Sequence, residues 1–149
     1  LANFIDAALL YKEQATKAGI NLDVIQEPTD GYWSNVWLKK PFVSCYWNGR
    51  ATADWMFSTC YSGEAPWNDS HFHHDRFDQL LVAARAELDE AKRREMYVEC
   101  QRIVRDEGGV MVFMFKDQVD AANTKVKFTN LAGNYGADGL RNTERWWFA

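Results

Sequence analysis

The chain has 149 residues, of which 47% are hydrophobic and 26% are charged, and its formal net charge is -4. This composition is typical of a globular domain with a core of its own and excludes a disordered chain. The acidic balance argues against a nucleic-acid partner, because phosphates need a basic face, and no apolar run reaches the roughly 20 residues of a membrane span.

The first predicted elements are a helix and a strand. Apolar residues recur at helical spacing from Phe4 to Ala18, and Gly19 is a typical residue at a helix end. Residues 20–25 then alternate between apolar and polar side chains, which predicts a strand with one buried face. A sequence that starts inside a helical pattern, without Met, is what a processed protein or an internal fragment would show.

A short helix and a second strand are predicted next. Residues 28–30 predict a turn and a helix cap, and the aromatic residues that follow, up to Trp37, predict the short helix. The apolar run at residues 42–47 is rich in β-forming side chains. Strand, helix and strand over so short a distance predict a parallel βαβ unit with a right-handed crossover.

Residues 48–75 are predicted to form a long irregular loop. The segment is aromatic and is interrupted by Gly49, Gly63 and Pro66. A loop of this length in a compact domain is usually functional or poorly ordered. Its tryptophan and tyrosine rings favour an ordered, functional loop.

Two helices and a buried strand are predicted after the loop. Apolar residues from Phe77 to Leu88 form one helical stripe, and Asp89 is placed to cap a second helix that ends at Gly108. The charged residues of these helices are most simply a solvated face. The continuous apolar run at residues 110–115 predicts a strand buried on both faces, whereas the polar segment after it does not resemble a self-sufficient domain.

The three cysteines, Cys45, Cys60 and Cys100, lack the spacing of a CxxC or zinc-finger motif. The simplest interpretation is that all three are small buried apolar residues. One disulfide bond in an oxidising compartment stays open, and the sequence does not assign its pair.

No nucleophile elbow, P-loop or dinucleotide fingerprint is present in the sequence. A carboxylate pair drawn from Asp54, Glu64 and Asp69 could support glycosidase-like chemistry, but a loop sequence does not fix the distance between two carboxyl groups. We therefore predict no catalytic residue.

A cluster of residues before the first of the two paired helices could suggest a metal site. Its members are His71, His73, His74 and Asp75. Imidazoles in one short loop rarely converge on one ion, and Asp75 is well placed to cap the helix that opens at Arg76. We predict no metal and no cofactor.

Aromatic residues around the predicted βαβ unit are candidates for the wall of a ligand pocket. They are Trp33, Trp47, Trp55, Tyr61 and Trp67. Ligand pockets are concave, aromatic and furnished with a few placed polar groups, and Arg50 and Asp54 offer one group of each charge. The alternatives are that the rings only cover the sheet and that Arg50 forms a surface salt bridge beside a turn.

The order of these elements resembles the C-terminal lobe of family 5 solute-binding proteins, which serve dipeptide, oligopeptide and nickel ABC importers. The resemblance begins at Lys17-Ala18-Gly19-Ile20, where a helix runs into an alternating strand. It continues over the paired helices in Phe77-Asp78-Gln79-Leu80-Leu81, Asp89, Arg94, Met96-Tyr97 and Gln101-Arg102-Ile103-Val104. The apolar run at residues 110–115 follows where the family has a strand.

The resemblance implies an α/β fold that is part of the C-terminal lobe of a two-lobed, hinged binding protein. Residues 1–118 would belong to this lobe, and residues 119–149 would be a tail that crosses near residues 118–120 to an N-terminal lobe absent from this chain. The implied partners are a small-molecule or peptide ligand, the permease subunits of the importer and that missing lobe. The implied location is the periplasm or an extracytoplasmic membrane anchor.

One departure from the family concerns the charge at the site. Peptide-binding relatives carry an aspartate for the peptide's α-ammonium group here, whereas this chain reads Trp47-Asn48-Gly49-Arg50 and has its first carboxylate at Asp54. An arginine favours a carboxylate-, phosphate- or sugar-like ligand. The predicted ligand-binding residues are Trp33, Trp47, Asn48, Arg50, Asp54 and Trp55.

Two functions from other classes remain as alternatives. A sugar- or peptide-processing enzyme would show turnover, and a chaperone-like binding module would lack a saturable site for a small ligand.

Overall fold

The computed structural model describes residues 4–117, 119–133 and 135–149. Its elements are α1 (Phe4–Lys17), α2 (Tyr32–Asn35), α3 (Ala53–Cys60), α4 (Asp75–Ala86), α5 (Glu90–Glu107), β1 (Val126–Lys127), α6 (Gly136–Leu140), α7 (Asn142–Arg145) and β2 (Trp147–Phe148). The chain is about 45% helical with a two-stranded sheet, so helix and strand are both present. None of the helices in the described residues is long and apolar enough to span a bilayer.

Backbone contacts divide the chain between Tyr46 and Trp47 into two compact units. The predicted boundary after residue 118 falls on a residue outside those that the structure describes. The assignment of residues 1–118 and 119–149 to different parts of a larger protein stays a prediction.

The predicted first helix is confirmed as α1, and its end follows from the backbone of Gly19. The φ of Gly19 is 79°, which glycine adopts without steric cost. The N–H of Gly19 donates to the carbonyl of Thr16, and the N–H of Ile20 donates to that of Ala15, both at 3.0 Å. The Ala15 carbonyl also accepts from the N–H of Ala18 at 3.0 Å, so these bonds satisfy carbonyls of the last turn of the helix.

The predicted short helix is confirmed as α2 and carries an aromatic cluster. Its N-cap is Gly31, which offers no side-chain hydrogen bond, so the predicted side-chain cap at residues 28–30 is wrong. The ring of Trp33 meets the rings of Tyr32, Trp37 and Tyr46 edge-on, each at 5.6 Å between centroids. These rings pack on one another within the first unit, although Trp33 and Tyr46 stay exposed to solvent.

The predicted βαβ unit is wrong for this chain. Residues 20–25 and 42–47 form no paired strand, and the sheet found in the described residues joins β1 and β2 in antiparallel fashion, with Val126 opposite Phe148. An alternating or apolar pattern shows that a segment suits a pleated surface, but a strand also needs a second backbone to complete its hydrogen bonds. Neither run is assigned as a strand in the described residues.

The hydrophobic core of the second unit lies among α3, α4 and α5. Its buried residues are Phe57, Phe72, Phe77, Leu80, Leu81 and Cys100. The ring of Phe77 is fully buried and meets Phe57 at 5.4 Å and Phe72 at 5.5 Å, both nearly edge-on. Edge-to-face rings of this kind add specific attraction to the apolar area that they bury.

The paired helices are confirmed as α4 and α5, with two differences at their ends. Asp89 caps α5, as predicted, and accepts from the N–H groups of Ala91 and Lys92. Leu88 was expected in the apolar stripe but is 90% exposed, because α4 ends before it. The cap of α4 is His74 instead of Asp75, since Asp75 is already the first helical residue.

The segment at residues 48–75 is not a continuous loop, because it contains α3. Thr52 caps this helix by accepting from the N–H of Trp55 at 3.2 Å. The remaining turns are organised by the buried amide of Asn68, which donates to the carbonyl of Phe72 at 2.6 Å and accepts from its N–H at 3.0 Å. The aromatic segment is therefore ordered, as its rings indicated.

The predicted buried strand at residues 110–115 is wrong. Residues 110–115 form no paired strand, and those from Met111 to Phe115 are exposed, with Phe115 at 94%. A continuous apolar run shows what a segment could bury, but burial on both faces requires layers that no described segment provides.

The tail forms its own hydrogen-bonded turn around Asp138. Residues 137–140 all have a positive φ, between 50° and 69°, which is a costly conformation for side chains larger than glycine. The buried Asp138 carboxylate accepts from the N–H of Ala132 at 2.6 Å and from the Trp146 indole at 3.2 Å, and it pairs with Arg145 at 3.2 Å. These contacts hold the turn. The predicted crossing of the tail to another lobe stays a prediction.

Candidate functional site

The guanidinium group of Arg50 lies over two tryptophan rings. Its Cζ atom is 5.8 Å from the centroid of Trp47 and 5.5 Å from that of Trp55. A cation over an indole face is attracted by the negative π surface of the ring, and arginine forms this contact more often than lysine. We call Trp47, Arg50 and Trp55 the Arg–Trp site.

The backbone before Arg50 holds its side chain in place. Nη1 donates to the carbonyl of Asn48 at 2.9 Å and to that of Gly49 at 3.3 Å. Trp55 lies in the first turn of α3, whose start is set by the Thr52 cap. Residues close in sequence therefore bring the cation and one of its rings together.

A long-range contact positions the second ring. The indole Nε1 of Trp47 donates to Oδ2 of Asp69 at 3.1 Å, and its ring lies 6.0 Å from that of Trp67. Asp69 follows Asn68, whose buried amide fixes the local turn. Sequence reasoning missed the role of Asn68, although an asparagine in a Pro- and Gly-containing segment is a usual turn signal.

Arg50 is not neutralised by an acidic side chain. Among the residues that the structure describes, none of the carboxylates lies within ion-pair distance of its guanidinium. The alternative prediction that Arg50 forms a surface salt bridge is therefore not supported within the described residues. Its charge is balanced by ring faces and carbonyl dipoles, which leaves it able to attract an anion.

Asp54 is next to Trp55 in sequence but has a different set of partners. Its Oδ1 accepts from Nε of Arg85 at 2.8 Å and from Oη of Tyr97 at 3.1 Å. Burial raises the pKa of Tyr97 above its ordinary value, and the Asp54 carboxylate adds to this rise. Asp54 therefore links α3 to α4 and α5.

The structure brings together four of the predicted ligand-binding residues, and the other two have different partners. Trp47, Asn48, Arg50 and Trp55 share the contacts described above, with Asn48 contributing its backbone carbonyl. Asp54 carries the link between helices, and Trp33 belongs to the aromatic cluster of the first unit.

The histidines before α4 serve as local structural groups. Nδ1 of His74 accepts from the N–H of Phe77 at 3.2 Å, and Nε2 of His73 lies 3.3 Å from Asp75. Within the described ranges, no group of three or more His, Cys, Asp or Glu side chains is arranged to hold a metal ion.

None of the three cysteines forms a disulfide bond in the described residues, and Cys60 and Cys100 are buried whereas Cys45 is partly exposed. Burial, with a smaller contribution from Asp69, raises the pKa of the Cys60 thiol to about 12. Burial and the neighbouring Glu99 raise that of Cys100 to about 11. The thiolate is the reactive form, so neither side chain has the character of a nucleophile.

Comparison of the chain with protein-family models, with curated proteins and with solved structures found no match. The resemblance to family 5 solute-binding proteins therefore stays a prediction from the sequence.

Proposed function

We propose that this chain is part of the extracytoplasmic solute-binding component of an ABC importer. In this proposal it belongs to the C-terminal lobe of a two-lobed protein, which closes on a small solute and delivers it to the permease. The Arg–Trp site is the part of the chain that contacts the solute.

The observation that carries the proposal is the placement of Arg50 over Trp47 and Trp55, with no carboxylate of the described residues within ion-pair distance of its guanidinium. Binding sites for small molecules combine apolar or aromatic walls with a few placed polar groups. An arginine that serves only the fold would be expected to pair with an acidic side chain, as Arg85 pairs with Asp54 in the same unit.

The sequence supports the proposal through the paired helices more than through the strands. The family resemblance includes the segments that form α4, the Asp89 cap and α5. The βαβ unit gives it no support, because residues 20–25 and 42–47 form no paired strands. The proposal therefore depends on the helical part of the resemblance and on the Arg–Trp site.

Native mass spectrometry and tryptophan fluorescence titration test the proposal. The chain is first measured as purified, to detect a retained solute, and is then titrated with a panel of amino acids, peptides, organic acids and sugars. Trp47→Ala and Trp55→Ala should each weaken binding of the responding solute about 5-fold or more, because each removes an aromatic wall. Trp147→Ala, a substitution of a half-exposed tryptophan in β2, is the matched control and should leave binding unchanged.

Two outcomes would contradict the proposal. Turnover of a bound sugar or peptide would favour a processing enzyme. Binding of unfolded polypeptides without saturable binding of any small solute would favour a chaperone-like module.

A further inference from the structure

We infer that the Arg–Trp site takes a solute with a carboxylate group next to an apolar or aromatic moiety, and that Arg50 is the residue that selects the carboxylate. This inference rests on the proposed function and names the ligand class of the same site.

Arg50 has N–H groups that a ligand could use as hydrogen-bond donors. Its Nη1 atom is occupied by the carbonyls of Asn48 and Gly49. The Nε and Nη2 atoms have no hydrogen-bond partner among the described residues, although a guanidinium offers five N–H donors in a planar fork. Two adjacent N–H groups on one edge of that fork match the two oxygens of a carboxylate.

The charged groups around Arg50 favour a solute with a negative charge. The carboxylate of Asp54 is engaged by Arg85 and Tyr97, and that of Asp69 accepts from the Trp47 indole. A cationic solute would therefore meet the charge of Arg50, whereas the carboxylates of Asp54 and Asp69 already accept hydrogen bonds from other side chains. A solute with one negative charge gains a charge-assisted hydrogen bond from the same arrangement.

The exposed ring of Trp55 offers apolar surface to the rest of the solute. Trp55 is 51% exposed although its ring lies beside the Arg50 guanidinium. A solute whose carboxylate reaches Arg50 would place its neighbouring atoms close to this indole, where apolar area can be buried. A carboxylate attached to an apolar or aromatic group uses both contacts.

The test compares probes that share one ring and differ in their charged group. Phenylacetate, phenylacetamide, phenethylamine and benzylphosphonate are titrated into the ¹⁵N-labelled chain, and binding is followed at the Arg50 Nε–H and tryptophan indole signals. The variants are Arg50→Gln, which removes the charge, and Arg50→Lys, which keeps the charge without the fork. Arg141→Gln, at an exposed arginine that pairs with Glu144, is the matched control.

We expect phenylacetate to bind about 10-fold or more tightly than phenylacetamide, because a hydrogen bond to a charged group discriminates by at least this factor. The preference should disappear in Arg50→Gln, shrink in Arg50→Lys and persist in Arg141→Gln. Circular dichroism and the unfolding temperature confirm that each variant is folded.

The inference would be overturned by equal binding of phenylacetate and phenylacetamide, by tighter binding of the amine or the phosphonate, or by a carboxylate preference that survives Arg50→Gln. In these cases saturable binding of a small solute remains, and the proposed function stands. If neither the probes nor the wider solute panel bind saturably, the proposed function fails together with the inference.

Discussion

Arg85 donates a hydrogen bond from Nε to Oδ1 of Asp54 over 2.8 Å, and Tyr97 donates to the same oxygen from the opposite helix. The hydroxyl of Ser58, one turn further along α3, donates to the Asp54 carbonyl at 2.6 Å and also contacts Arg85. One acidic residue thus connects three helices. Because Trp55 is its neighbour in α3, the same connection fixes one wall of the Arg–Trp site.

Asp54→Ala should lower the free energy of unfolding by about 1 kcal/mol, since a partly exposed charged hydrogen bond is lost. A double-mutant cycle with Arg85→Ala, measured by urea unfolding, should give a coupling energy of about 0.5–1 kcal/mol. Arg105→Ala, which removes an exposed pair with Asp106, is the control and should leave the stability nearly unchanged. Additive effects of Asp54→Ala and Arg85→Ala would show that their contact contributes nothing.

Phe77→Ala should be among the most destabilising single substitutions in the second unit. It removes a fully buried ring that contacts Phe57 and Phe72, and such truncations cost about 3–5 kcal/mol. Phe77→Leu leaves a smaller cavity and should cost roughly 1–2 kcal/mol. Chemical unfolding followed by circular dichroism gives both values. Phe115→Ala, at a ring that is 94% exposed, is the matched control, and an equal loss of stability in both variants would contradict a role for the burial of Phe77.

Asp89→Ala should shorten or fray α5 and lower the free energy of unfolding by about 1 kcal/mol, because two backbone N–H groups lose their acceptor. Asp89→Asn should retain most of the stability, since asparagine is an equally good cap. Hydrogen exchange at Ala91 and Lys92 reports the change directly. Unchanged exchange in Asp89→Ala would argue against the cap.

The two buried thiols should make the chain less stable in alkali. The pKa of Cys60 is raised to about 12 and that of Cys100 to about 11, so the folded state keeps these protons when the unfolded chain loses them. Their contribution to stability is therefore complete below the ordinary thiol pKa of about 8.5 and declines as pH rises from there towards 11–12. Urea midpoints between pH 7.5 and 10 should fall less steeply in a Cys60→Ala/Cys100→Ala double variant. Parallel profiles for the two proteins would rule out this cause.

The helices of the second unit could be predicted because their signals are local. The stripe that begins at Phe77 and the cap at Asp89 lie within one or two turns of the residues that they organise. The helix α3 was missed, although Thr52 is a good cap and Phe57 and Cys60 share its buried face. Its signal is short and lies in a segment whose glycines and proline suggest a loop.

The strands could not be predicted in the same way, because pairing depends on distant segments. The runs at residues 20–25, 42–47 and 110–115 have the side chains of strands, yet none of them forms a paired strand in the described part of the chain. The Arg–Trp site could be predicted only in part, because it combines local contacts with a contact between distant residues. Arg50 and Trp55 are close in sequence, whereas the contact of Trp47 with Asp69 is visible only in three dimensions.

The cap at the start of α4 has a consequence for the chemistry of one imidazole. Because Nδ1 of His74 accepts from the Phe77 N–H, the neutral ring must carry its proton on Nε2, which faces Glu107 at 3.7 Å. The tautomer of His74 is therefore coupled to the first turn of α4 and to Glu107 in the last turn of α5. The imidazole ¹⁵N shifts of His74 would report changes at both helix ends.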